Sequence, residues 1–355
     1  MKTLTVKLKQ HTPLIHFQHD QDGATLRASE VKPKLDRFIL TKLGNGDYNR
    51  GCDIAKNKKW FVGKGEHPAL DYKMKIKVNK NDYVNISLNL KTNREGKYTT
   101  EDFPLLLANM GGRDLVDELL NFSMYKNVYL DIFSIKDDLY KEIKEYVPYF
   151  FANTNFGQRS NKGFGSFTVT LMKDEDCIIE VNSLGTKPYY ISKSTLYMDF
   201  AIDNMYSFVV QKNLFKIIDT FWSKLRKYIK ESTIPNCENI SSVESYIKAM
   251  KDFPVNDDVE RIPAPIIFKP VSYKDDDNNN YYAIYIMFDR DMMDKLKRKY
   301  DSNIPLSSEY TLNASSIASL SYIDRFVNKF ILRKQDNWRV NINKGKFIYV
   351  EFYEQ

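Results

Sequence analysis

Near the N-terminus, Leu4, Val6 and Leu8 alternate with Thr3, Thr5, Lys7 and Lys9, the period-two pattern of a strand with one buried face. Beyond the polar stretch 16–24, Val31, Leu35, Phe38 and Ile39 fall at helical spacing. They predict a helix over 29–42 with Ser29 as its N-cap and Pro33 in its first turns, where a missing N–H is tolerated. Residues 44–65 are rich in Gly and Lys and read as a long exposed insertion holding Lys58, Lys59 and Trp60; long loops on compact folds are often functional. Strands are expected at 73–78, 83–90 and 127–133, a helix over 137–149, and a closing strand over 166–172.

Strand, helix, strands, helix, strand is the order of a ferredoxin-like unit, in which helices cover one face of an antiparallel sheet. The other face is left open for a ligand. A second cycle begins near Cys177, strand-rich over 195–209 and then helical over 213–230. Leu214, Ile217, Ile218, Phe221, Trp222 and Leu225 form the apolar stripe of that helix, and Lys212, Lys216, Lys224, Arg226, Lys227 and Lys230 fill much of the remainder. Strands at 265–268 and 281–288 flank the polar segment 274–280. Asp275, Asp276 and Asp277 there lack the Gly and terminal Glu of an EF-hand loop and read as a solvated hairpin. Helices near 292–300 and 316–334 precede strands at 338–342 and 346–352. The expected fold class is α+β: two tandem ferredoxin-like (RRM-like) domains, residues 1–176 and 177–355, the first carrying the basic insertion at about 44–65.

A chain of 355 residues with 43% hydrophobic content can bury a sizeable core, and its length favours two domains. The 53 basic against 46 acidic side chains leave +7, which permits an anionic partner without requiring one. Tyr and Phe are abundant, at 24 and 22; most such rings belong to cores, and some can stack on the bases of single-stranded RNA. Cys52, Cys177 and Cys237 lie far apart with no C-x-x-C spacing, which argues against a zinc site and for a reducing compartment. The alternating N-terminus is unlike a signal peptide, and the longest apolar stretches are too short to cross a bilayer as a helix. A cytoplasmic protein without membrane, metal or cofactor is expected.

The most informative stretch is 155–167, NFGQRSNKGFGSF, where Gly157, Gly163 and Gly165 bracket Gln158, Arg159, Ser160, Asn161 and Lys162. Glycines permit positive φ and leave amides unshielded. Successive N–H groups beside Arg and Lys make a concavity suited to a phosphodiester backbone; the alternative is an ordinary Gly-rich hairpin. A Walker A loop would need Gly-Lys-Ser/Thr running into a helix, whereas this segment runs into a strand. A second cluster, Arg27, Ser29, Lys32 and Lys34, surrounds the start of the first helix, where unpaired N–H groups and the dipole favour phosphate.

This glycine-rich stretch resembles the loop near the end of each ferredoxin-like unit in the RAMP superfamily. The Arg-Ser pair before Lys-Gly-Phe-Gly resembles the tandem-RAMP subunit family numbered one of type III-B CRISPR (Cmr) effectors. Thr12-Pro13, the run 26–32 and the run Arg261 to Pro270 are similar to that family's threonine-proline start, arginine-serine-lysine helix and arginine-proline-lysine segment. Departures occur at 14–19, where the family usually has glycines, and at 33–38, where it usually continues with glycine, arginine and tryptophans. The resemblance implies a non-catalytic RNA-binding subunit that holds the 3′ region of a guide crRNA and captures target RNA, beside other RAMP subunits. Its expected RNA ligands are Arg27, Ser29, Lys32, Arg37, Gly157, Gln158, Arg159, Ser160, Lys162, Gly163, Gly165, Arg261 and Lys269. Two other readings stand beside it. One is a RAMP-type endoribonuclease that processes repeat RNA with a histidine, for which His11, His16 and His19 lie close together. The other is a protein-interaction scaffold without RNA contact.

Overall fold

A computed structural model describes residues 1–15, 25–63, 69–79, 81–88, 91–92, 98–99, 120–174, 177–181, 196–231, 266–288, 338–343 and 345–354. The opening alternation becomes β1 (Lys2–Gln10), whose Leu4, Val6 and Leu8 are fully buried. After it come α1 (Ala28–Leu43), α2 (Tyr48–Asn57), the short strands β2 (Phe61–Val62) and β3 (Ala69–Leu70), and β4 (Tyr72–Val78). Next are β5 (Tyr83–Leu88), β6 (Lys91–Thr92), β7 (Tyr98–Thr99), β8 (Leu120–Tyr125) and β9 (Val128–Ser134). The half closes with α3 (Asp137–Asn153), β10 (Phe167–Lys173) and β11 (Ile178–Glu180). The main sheet runs β11-β10-β1-β9-β4, all pairs antiparallel. Without the edge strand β11 this is the fourth-first-third-second order of a ferredoxin-like unit. Val31, Leu35 and Ile39 of α1 and Leu139, Ile143, Val147 and Phe150 of α3 recur at helical spacing and bury one face of the sheet.

Three expectations need correction. Arg27, with extended backbone, is the N-cap of α1, so Ser29 stands exposed inside the first turn. The stretch from 44 is no exposed loop through residue 63, because it contains α2. Asp47 caps that helix by accepting hydrogen bonds from the N–H groups of Asn49 and Arg50 at 2.8 and 3.2 Å. Gly51 lets α2 cross α1 closely, since a Cβ there would fall 1.8 Å from the Leu40 carbonyl oxygen. Trp60 is fully buried and donates its indole N–H to Asp138 at 2.8 Å, so it is a core residue, not a loop ligand. Lys58 and Lys59 remain exposed beside it. Finally, the boundary expected near 176 falls between β10 and β11, and their pairing carries the first sheet on to Glu180.

The second half contains β12 (Leu196–Ile202), α4 (Phe208–Glu231), β13 (Ile266–Lys274), β14 (Asn280–Phe288), β15 (Trp338–Asn343) and β16 (Lys346–Glu354). Their sheet order is β13-β14-β12-β16-β15, again the ferredoxin-like arrangement with one added edge strand. The expected helices near 292–300 and 316–334 lie outside the described residues. The predicted stripe of α4 packs on the sheet as expected. The turn between β13 and β14 is closed by Asp275, which accepts from the Asn279 backbone and side chain at 2.7 and 3.0 Å. Among the described residues no helix is long and apolar enough to cross a membrane.

Candidate nucleic-acid interface

The glycine-rich loop lies against both halves of the molecule. Phe156 and Phe164 are both fully buried, and they point into different cores. Phe156 packs edge-on against Phe150 and Phe167 in the first domain. Phe164 stacks on Phe215 of α4, with ring centroids 3.9 Å apart and planes 13° from parallel. Between them Gly163 has φ +94°, and a Cβ there would fall 2.9 Å from Pro270 and 3.0 Å from Ile218 of the second domain. A side chain at this position would both strain the backbone and push the domains apart.

The amides expected to face a ligand are largely spent on the protein. Those of Phe156, Gln158, Lys162, Gly163 and Gly165 donate to backbone carbonyls at 2.7 to 3.1 Å. The Gly157 N–H donates to Glu30 Oε1 at 2.7 Å, and that of Ser166 to Thr12 Oγ1 at 2.9 Å. The bond from Gly157 joins the loop to the start of α1. Lys34 completes the link, donating to Glu30 at 2.9 Å while lying 5.0 Å from the Phe156 ring centroid. The two basic segments singled out in the sequence are therefore neighbours, as the fold predicted.

Their side chains divide into two groups. Arg27 at the N-cap and Ser29 and Arg37 on α1 are exposed, the last with its guanidinium 5.0 Å from the Tyr48 ring centroid. Gln158, Arg159 and Ser160 are half-buried, and Arg159 has φ +53°. The others face inward. Lys32 donates to Asp36 at 2.9 Å and to the Leu70 carbonyl at 2.8 Å, and sits over the Tyr72 ring. Lys162 lies 3.5 Å from the Trp222 ring centroid, where it braces α4.

Lys269, expected as an RNA ligand, is fully buried and donates to the carbonyls of Thr154 and Phe167 at 2.9 and 2.8 Å. Desolvation pushes its pKa well below the usual lysine value. Its position on β13 aims it across the seam, where it satisfies two first-domain carbonyls instead of meeting solvent. Arg261 lies outside the described residues.

Beside Lys269 sits His11, which sequence reasoning treated only as a possible catalyst. It is almost wholly buried; Nδ1 accepts from the Ser272 N–H at 3.0 Å, which leaves the proton on Nε2 to donate to Thr168 Oγ1 at 2.8 Å. Desolvation first, then the charges of Lys9 and Lys269, hold its pKa well below 6.5. Gln211 and Tyr282 of the second domain both donate to the His11 carbonyl. This imidazole is a neutral bolt between domains, with both ring nitrogens engaged. His16 and His19 lie outside the described residues.

A family model described as the Cmr1 N-terminal domain matches residues 1–229. No curated protein matches the chain. Among solved structures, the apo crystal structure of Cmr1 from Pyrococcus furiosus is similar at 12% identity and a TM-score of 0.42, over 81% of this chain and 88% of that one. A chain of the type III-B Cmr-beta bound to cognate target RNA is similar at 14% identity and a TM-score of 0.32, over 50% of this chain and 61% of that one. A CRISPR associated protein Cas6 shows 9% identity and a TM-score of 0.21, over 82% and 90%.

Proposed function

The chain belongs to the Cmr1 N-terminal domain family, and from that premise we propose that it is a non-catalytic, RNA-binding subunit of a type III-B CRISPR effector in the cytoplasm. The family match over the first 229 residues is the observation that carries this reading. The geometry adds a place for the strand. Arg27 at the exposed start of α1 and Arg159 in the adjoining loop border a helix N-terminus, where backbone N–H groups and the dipole attract phosphate. In this reading they hold the guide crRNA near its 3′ region and help to capture target RNA, while other RAMP subunits of the effector sit alongside. Base pairing by the guide supplies sequence choice, and the protein supplies backbone affinity.

The sealed position of His11 supports a non-catalytic role, because general acid-base work needs a ring nitrogen within reach of substrate. The test is RNA affinity of the full chain across a salt series, with and without Arg27→Ala plus Arg159→Ala. Each lost phosphate contact should flatten the slope of log affinity against log salt by about 0.7 for a single strand. Unchanged affinity and slope would remove these arginines from the interface, and absence of salt-dependent binding would leave the scaffold reading. Cleavage of repeat RNA that disappears in His16→Ala or His19→Ala would establish the nuclease instead.

A further inference from the structure

The first sheet has a second face, opposite α1 and α3, and its side chains follow from the strand register. Tyr72 of β4 is buried on the helix side, so the alternate residues Lys73, Lys75 and Lys77 project from the other face, where all three are exposed. On the neighbouring central strand β9, Phe133, Asp131 and Tyr129 stand directly opposite them. On β1 the next positions are Thr3, Thr5 and Lys7. Each row crosses the sheet: Lys77, Tyr129 and Lys7 form one, and Lys75, Asp131, Thr5 and Lys173 another. Tyr129 is 36% exposed between two lysines. Phe133, half-buried, lies about 13 Å further along the same strand, at roughly 3.3 Å per residue.

We infer that this open face binds single-stranded RNA, with a base stacked on Tyr129 and the flanking lysines on the phosphates. The inference rests on the RNA-binding reading above and adds a surface on the opposite side of the sheet from α1. Charge decides the occupant. Among the described residues, the lysines Lys7, Lys73, Lys75, Lys77 and Lys173 stand on this face against two carboxylates, Asp131 and Glu180. Asp131 is already neutralised, since Lys77 pairs with it and the Thr5 hydroxyl donates to it at 3.0 Å. A protein partner would have to desolvate lysines that interface cores exclude. A duplex would keep its bases stacked away from the ring. A single strand offers both a continuous anion and unstacked bases, which aromatic side chains on a flat sheet accept.

The experiment measures binding of the full chain to a labelled oligouridylate of about twenty nucleotides, long enough to cover more than one site, over a potassium chloride series. Lys73→Ala with Lys75→Ala, which leaves the Lys77–Asp131 pair in place, should weaken binding and flatten the salt slope by about 1.4. Tyr129→Leu should cost about fivefold or more in affinity while Tyr129→Phe retains it, since either ring can stack. Ultraviolet crosslinking should place the RNA on the peptide that carries Tyr129. If these variants keep the wild-type circular dichroism, affinity and slope while Arg27→Ala plus Arg159→Ala loses binding, the open-face inference fails and the function proposed above survives. If the unaltered chain binds no RNA, both fail. A face protected only by another protein subunit, with RNA affinity unchanged in the variants, would also overturn it.

Discussion

Replacing Phe164 with alanine tests whether the glycine-rich loop is a joint between domains. The ring is fully buried and lies flat against Phe215 at 3.9 Å, within the same cluster as Ile217, Ile218 and Phe221 of α4. Truncating a buried phenylalanine costs about 3 to 5 kcal/mol through lost transfer energy and the cavity left behind. The stacked geometry contributes roughly 0.5 to 1.5 kcal/mol of coupling to Phe215 within that total. Because Phe164 reaches the second domain from the first, the loss falls on their mutual contact. Urea unfolding, followed by tryptophan fluorescence and by circular dichroism, should show a stability loss of at least about 3 kcal/mol. Trp222, which packs in the same cluster, should report an earlier transition than the backbone signal does. The double variant with Phe215→Ala should be less damaged than the sum of the two single changes. A loss of no more than about 0.5 kcal/mol, the range of a surface substitution, with coincident transitions would refute the joint.

Two further outcomes concern the polar seam. His11 is held neutral in the folded protein and would take up a proton near 6.5 when unfolded. Below that value the unfolded chain binds more protons, so stability should fall as pH falls, by up to about 1.4 kcal/mol per pH unit. A His11→Gln variant should lose that part of the slope between pH 6.5 and the folded-state value; an identical slope in both proteins would exclude the imidazole as its source. Lys269→Met should leave the Thr154 and Phe167 carbonyls without their shared donor. The expected cost is about 2 kcal/mol in urea unfolding, with RNA affinity and salt slope unaltered. A flatter salt slope with full stability would restore Lys269 to the RNA interface.

Much of the fold was legible because each half buries one face of a sheet, and burial on one face writes a period of two into the strands and 3.6 into the helices. The expected strands at 73–78, 127–133 and 166–172 each lie within a residue of β4, β9 and β10. β8 lies outside the expected strands, although Leu120, Phe122 and Met124 alternate in the sequence. The packed helix α2 was hidden by composition: Gly and Lys read as loop, yet Gly51 is there for close helix crossing, Lys56 is exposed on the helix, and Lys58 and Lys59 are exposed just past its end. In the candidate site, the adjacency of the helix start and the glycine loop was legible from fold order. The inward turn of Lys32, Lys162 and Lys269 was not, because a lysine that braces a ring or a carbonyl from another element looks like any other lysine in the chain. The open-face row around Tyr129 was equally silent. It exists only once β1, β4 and β9 are in register.

The plug formed by Phe164 has company: Ile15, Ile86, Phe122 and Met124 also join the core built around α4. A chain cut after β11 would therefore keep its first sheet intact yet expose a cluster of oily side chains to water, inviting self-association. The matched family segment ends at residue 229, close to the last turn of α4 at Glu231, so it retains the helix that shields them. Truncations meant to isolate the first half should therefore carry α4 along as its borrowed lid.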